Sequence, residues 1–167
     1  MKPLLFLLLA TSLLACTPAR YYVVRHAEKA PPAQGSDARD PQLSEAGKQR
    51  AETLAGLLSR KKIRQVFVTN TIRASSTAAP AAQQHGLEPQ VYPGAADSLF
   101  IGKLRSLKGT TLVVGHSNTV DDIVNRLAGE EKVKGDLPES SFDRLFIITR
   151  RRGHYTFKEL QYGQATP

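Results

Sequence analysis

Two histidines stand out by position. His26 closes the run Tyr21-Tyr22-Val23-Val24-Arg25-His26, and His116 closes Val113-Val114-Gly115-His116. Each directly follows a β-rich apolar segment, so each should project from the carboxyl end of a strand. In an open parallel sheet that edge is where ligands bind. A third β-rich run, Gln65 to Thr69, is followed closely by Arg73. Arg25 and Arg73 would then join the two imidazoles in one cationic pocket, with no carboxylate required to hold them. A guanidinium offers a planar fork of donors that matches phosphate oxygens in pairs. An imidazole can attack phosphorus and form a covalent phosphoenzyme, splitting one hard displacement into two easier ones. A second imidazole can bind the same oxygens and stabilise their charge in the transition state. The chemistry expected is phosphoryl transfer.

The elements that must position these groups alternate. Strands are predicted at Tyr21–Val24, Gln65–Thr69, Gln90–Tyr92 and Thr110–Val114, the last an unbroken β-rich run. Ser44 should cap a helix from Glu45 to about Ser59, with Leu54, Leu57 and Leu58 on one face. A second helix spans Ile72 to about His85, with Gly86 as its stop and Pro80 expected to kink or interrupt it. Leu99–Leu107 forms a third, and Ser117 should cap a fourth that ends before Gly129. Phe142–Thr149 and Tyr155–Leu160 make a terminal hairpin around Arg152-Gly153. Strands alternating with helices predict a three-layer α/β/α domain with a mainly parallel central sheet, over residues 21–162. His85 and His154 fall at a helix end and in the hairpin turn, with no chemical role.

Composition bounds the partners. The chain has 167 residues, 41% hydrophobic and 23% charged, which suits one globular domain and excludes a collagen-like or wholly disordered chain. One Cys excludes a disulfide framework and a multi-Cys zinc site, and the four His show no metal-helix spacing. No metal and no cofactor are expected. A net charge of +8 favours anionic partners. Nucleic acid is set aside, because no recognition motif or aromatic-basic run accompanies the charge. Met1-Lys2 followed by the apolar stretch Leu4–Leu14 reads as a secretory leader, too short for a membrane span. It ends in Leu13-Leu14-Ala15-Cys16, which resembles a bacterial lipobox. The resemblance implies cleavage after residue 15, lipidation of Cys16, a short tether over 16–20 and attachment to the cell envelope. Thr17 after the Cys implies the outer membrane.

Four segments resemble the histidine phosphatase superfamily, the phosphoglycerate-mutase-like proteins. Arg25-His26-Ala27 is similar to that family's Arg-His-Gly signature. Asp40-Pro41-Gln42-Leu43-Ser44-Glu45-Ala46-Gly47 resembles its Leu-Thr-x-x-Gly approach to the first helix. Arg73-Ala74-Ser75-Ser76-Thr77-Ala78 resembles its Arg-x-x-x-Thr-Ala helix, and Gly115-His116-Ser117 its second catalytic His. The resemblance implies that His26 accepts the phosphoryl group, which Arg25, Arg73 and His116 bind. Lys29 stands where the acid-phosphatase branch has its second basic residue, and it would add a point charge; a solvated loop lysine is the plain alternative.

Departures from the pattern raise one question. Ala27 replaces the usual Gly, and Ser117 stands where the acid-phosphatase branch carries its Asp proton donor. Asp97 is then the first candidate donor, with Glu28 and Asp37 as alternatives; Asp97 could equally cap the helix beginning near Ser98. Glu28 could also simply pair with His26. Insertions typical of the mutases are absent, which favours a compact phosphomonoesterase over a phosphomutase or a non-catalytic phosphate-binding lipoprotein. The substrate expected is a phosphorylated small molecule or an envelope sugar phosphate. Arg150-Arg151-Arg152 reads as a solvated basic turn, or as a contact with membrane or lipopolysaccharide.

Overall fold

The computed structural model describes residues 18–31 and 39–166. Cys16, the leader and Asp37 lie outside the described residues. Six strands form one sheet in the order β3-β2-β4-β1-β5-β6. These are β1 (Ala19–Arg25), β2 (Ile63–Thr69), β3 (Gln90–Tyr92), β4 (Thr110–Gly115), β5 (Arg144–Arg151) and β6 (His154–Gln161). β1 to β4 run parallel, whereas β5 and β6 are antiparallel to their neighbours. The sheet is thus mixed but mostly parallel, as the alternation of elements predicts. Arg152 and Gly153, both at positive φ, turn the hairpin where expected.

Side-chain alternation divides the core. Tyr21 and Val23 face one side with Phe67, Val113 and Phe146, where α3 (Ser98–Ser106) and α4 (Ser117–Ala128) cover them. Tyr22 and Val24 face the other with Val66, Leu112 and Val114, covered by α1 (Glu45–Leu58) and α2 (Ile72–Gln84). Leu54 and Leu58 supply the buried stripe of α1, each worth roughly 2 kcal/mol of apolar burial. Leu57, expected beside them, is exposed instead.

Two helix expectations need correction. α2 runs without a break through Pro80. Proline removes only one donor, and Ala78, Ala81 and Ala82, buried on either side of it, hold both halves against the core. The N-cap of α4 is His116 rather than Ser117, which is already helical. Ser44 does cap α1, its hydroxyl accepting from Gly47 N–H at 3.1 Å.

Adjacent strands β1 and β4 send their following helices to opposite faces of the sheet. That leaves a crevice at their carboxyl ends, the topological switch point at which open α/β sheets bind ligands.

Candidate active site

Register brings the two histidines together. Arg25 pairs with Gly115, and the next amide, His26 N–H, donates to the Gly115 carbonyl at 2.9 Å. Both imidazoles leave the sheet at the same height, with ring centroids 5.2 Å apart and planes at 66°. Gly115 is required here. A Cβ would stand 2.8 Å from Thr119 Oγ1 and 2.9 Å from the Tyr92 hydroxyl.

Hydrogen bonding fixes which nitrogen of each ring is available. His26 Nδ1 lies 2.8 Å from the Ala27 carbonyl, an acceptor only, so Nδ1 carries the proton and Nε2 keeps its lone pair. Burial pushes the His26 pKa down to about 3, and Arg25, His116 and Arg73 add to the fall. At neutral pH the ring is uncharged and Nε2 keeps its lone pair. Arg73 Nη2 lies 3.4 Å from His116 Nδ1 and can only donate, which makes Nδ1 the acceptor. His116 Nε2–H then donates to Thr69 Oγ1 at 2.8 Å. Burial, followed by Arg73 and Arg25, holds His116 down at about 4.

The guanidiniums depart from expectation, because carboxylates do hold them. Arg25 is 2% exposed, and its Nη1 donates to the carbonyls of Pro138, Glu139 and Ser141. Its Nη2 donates to Glu139 Oε2 at 2.8 Å, and its plane lies over the Phe142 ring at 4.4 Å. Arg73 Nη1 donates to Asp40 Oδ1 at 3.1 Å. Fixing a flexible fork in a low-dielectric cleft needs such partners, or rotamer entropy would scatter it. Yet Arg25 Nε and Arg73 Nε, two charged donors close to the His26 imidazole, are both buried without a partner among the described residues. Lys29 comes to the rim, its ammonium 3.8 Å from Glu139 Oε2.

Residues 21–100 match the histidine phosphatase superfamily (branch 1). That match takes in Arg25, His26 and Arg73 and stops short of His116. The protein histidine phosphatase SixA complexed with tungstate superposes with a TM-score of 0.67 at 22% identity, covering 85% of this chain and 96% of that one. Further solved structures of this fold include mycobacterial glucosyl-3-phosphoglycerate phosphatase, with 13% identity, a TM-score of 0.61 and coverage of 87% and 100%. Phosphoglycerate mutase from Bacillus anthracis has 15% identity, a TM-score of 0.61 and coverage of 87% and 93%. No curated protein matches the chain.

The motif residues acquire physical reasons in this chain. Thr77 of the α2 motif accepts from Ala27 N–H at 2.9 Å and donates to the Arg73 carbonyl at 2.7 Å, locking the loop after His26 to the helix that carries Arg73. Gly47 lets α1 approach that same loop, since a Cβ there would meet the Glu28 carbonyl at 2.3 Å. Glu28 does not pair with His26. It receives Arg50 through both carboxylate oxygens at 2.6–2.9 Å, while Arg50 also ties down the Tyr162 and Gln164 carbonyls.

The donor candidates fall in different places. Asp97 is the N-cap of α3, its Oδ1 accepting from Phe100 N–H at 2.7 Å. It lines a shallow cleft with Leu99 and Lys103, beside a cleft of about 430 Å³ lined by Thr69, Tyr92, Pro93 and His116. Glu139 was not foreseen. It lies in the irregular stretch between α4 and β5, where no periodicity marks a partner for Arg25. Ser117 donates to its Oε1 at 2.8 Å; that bond and Arg25 hold the carboxyl below its ordinary range. Asp40 stood within a quoted motif, but nothing in the spacing linked it to Arg73.

Proposed function

We propose that this chain is a phosphomonoester hydrolase working through a phosphohistidine at His26, attached to the cell envelope through lipidated Cys16. The observation that carries the reading is the clustering of His26 and His116, ring centroids 5.2 Å apart, with the guanidiniums of Arg25 and Arg73, whose charges add to burial in lowering both imidazole pKa values. Two guanidiniums and two imidazoles gathered at one edge suit the oxygens of a phosphoryl group. A tetrahedral oxyanion, tungstate, accompanies the SixA relative.

The steps follow from the groups in place. His26 Nε2 attacks phosphorus; the N–P bond forms and the ester P–O bond breaks. Ala27 O, accepting from Nδ1–H, stabilises the positive charge that develops on the ring. Arg25 and Arg73 bind the equatorial oxygens, where charge accumulates. The dianion also raises the His116 pKa by supplying opposite charge, so that ring becomes a third cationic donor. The leaving oxygen takes a proton, with Asp97 the candidate donor. Water then attacks phosphorus, the N–P bond breaks, and inorganic phosphate leaves as the water proton restores the acid. The substrate class proposed is a phosphorylated small molecule or an envelope sugar phosphate. A merely binding protein would have no use for a nucleophile held neutral with its lone pair free, which favours the enzyme.

Rapid quench with a phosphorus-labelled monoester tests the reading. An acid-labile, base-stable label should appear on wild type and vanish in His26→Ala, with turnover reduced at least ~10³-fold. A labelled, fully active His26→Ala would overturn the mechanism.

A further inference from the structure

We propose that the end of the sheet opposite the active site is a docking surface for an anionic lipid bilayer. β1, β2 and β4 all begin at that end and finish at the site, so about 20 Å of strand separates the two. Three connections bring cations there. The α1–β2 turn carries Arg60, Lys61 and Lys62, with Arg64 just inside β2. The last turn of α3 and the connection to β4 contribute Arg105 and Lys108, and the end of β5 with the hairpin turn contributes Arg150 to Arg152.

These groups form one surface rather than three. Arg20 N–H donates to the Gly109 carbonyl at 2.8 Å, and a Cβ on Gly109 would stand 3.2 Å from Arg64 Cγ. Arg150 binds the carbonyls of Arg105 and Leu107, joining the hairpin turn to the end of α3. Apart from the half-buried Arg150, every one of these side chains is exposed. None makes an ion pair among the described residues, and segments 59–64, 103–110 and 149–154 contain no acid.

Two observations select a membrane over other polyanions. The chain enters the fold at Ala19, at this same end, directly after the apolar Leu4–Leu14 stretch and Cys16. A bilayer reached through that segment meets these cations first, and seating on them turns the crevice of His26 and His116 toward solvent. Single-stranded nucleic acid calls for aromatic stacking platforms. The three basic segments carry no aromatic residue.

The test compares the full chain on vesicles containing about one-third phosphatidylglycerol and on pure phosphatidylcholine vesicles. The amino-terminal segment contributes to both, so only the difference reports the basic surface. Binding should be at least tenfold stronger on the anionic vesicles, and high salt should abolish the increment, given ~5-fold per engaged cation. The variant R60Q/K61Q/K108Q/R151Q should lose the increment, bind phosphatidylcholine as wild type does, and keep its unfolding midpoint. Should it fail to fold, R151Q/R152N, confined to the exposed turn, should still cut the increment several-fold. Equal binding to both vesicles, or an undiminished increment in the variants, overturns the proposal. So does tighter binding to a duplex DNA of about 20 base pairs than to the anionic vesicles at the same salt.

Discussion

Arginines occupy both ends of the parallel strands, but what they face differs. At the carboxyl ends Arg25 meets Glu139, Arg73 meets Asp40, and nearby Arg50 meets Glu28. At the amino ends Arg20 donates to a hydroxyl, Arg105 and Arg150 donate to carbonyls, and none of them meets an acid among the described residues. A carboxylate on one edge of a guanidinium fixes its plane while leaving other donors aimed. That arrangement suits a single small anion held at one spot. Unpaired cations on mobile side chains keep their full field and tolerate many positions of the counter-charge, which suits an extended surface. The same residue type thus serves two purposes, separated by whether an acid has been supplied.

Breaking a pinned guanidinium should give the largest effect. Arg73→Ala removes the donor that reaches both His116 and the phosphoryl position, and kcat/KM should fall ~10²–10³-fold. Arg73→Lys should recover little, because an ammonium has no planar fork. Substituting the exposed Arg151 should leave kcat/KM with a soluble phosphomonoester unchanged. Similar losses at both positions would mean that the two ends are not functionally distinct.

The site end should also make the fold sensitive to acid. His26 and His116 are held at about 3 and about 4, against roughly 6.5 in the unfolded chain. Between pH 6.5 and about 3 the unfolded chain therefore binds more protons, and stability falls as pH falls. The contribution is complete above pH 6.5 and is lost as pH drops through the native values. His26→Gln should flatten the slope by up to ~1.4 kcal/mol per pH unit across the middle of that window. Denaturant midpoints measured from pH 7 to 4 would show it, and parallel slopes for wild type and variant would contradict the assigned shift.

Glu139 sharpens the comparison, since it is the acid that makes Arg25 unlike the cations at the far end. Glu139→Gln deletes a negative charge beside the proposed phosphoryl site but can still hydrogen-bond Arg25. KM for a phosphomonoester and the inhibition constant for inorganic phosphate should both fall ~5-fold, with kcat little changed. A rise in KM would instead mean that Glu139 matters mainly by holding Arg25 in place.

Sequence reading went furthest where local rules act. Val23-Val24 and Val113-Val114, ending in His26 and His116, are strands because β-branched runs make strands, and the parallel rule then puts both rings at one edge. Ser44, Gly86 and Gly129 marked helix limits through capping chemistry. What escaped depends on contacts between distant segments. Glu139 reaches Arg25 across more than a hundred residues, from a stretch without periodicity. Asp40 reaches Arg73 and Glu28 reaches Arg50 in the same non-local way. Pro80 does not break α2, because tertiary burial of its alanine neighbours outweighs one missing hydrogen bond.

The smallest expected effect concerns Asp97, where local and functional roles compete for one carboxylate. As cap of α3 it accepts from Phe100 N–H, and Asp97→Asn retains a side-chain oxygen that can do the same. Asp97→Ala removes that bond and should cost ~1 kcal/mol of stability, read as a lowered unfolding midpoint. A donor role adds a demand that capping cannot imitate. Asp97→Asn would then slow alkyl phosphates far more than p-nitrophenyl phosphate, whose leaving group needs no proton. The two substitutions therefore separate the roles. Loss of stability in the alanine variant, with wild-type leaving-group dependence in the asparagine variant, assigns Asp97 to the helix and sends the search for the donor to other carboxyls near His116. A steepened leaving-group dependence in Asp97→Asn, with stability intact, assigns the proton to Asp97, whose carboxylate would have to turn from the α3 cap toward the neighbouring cleft.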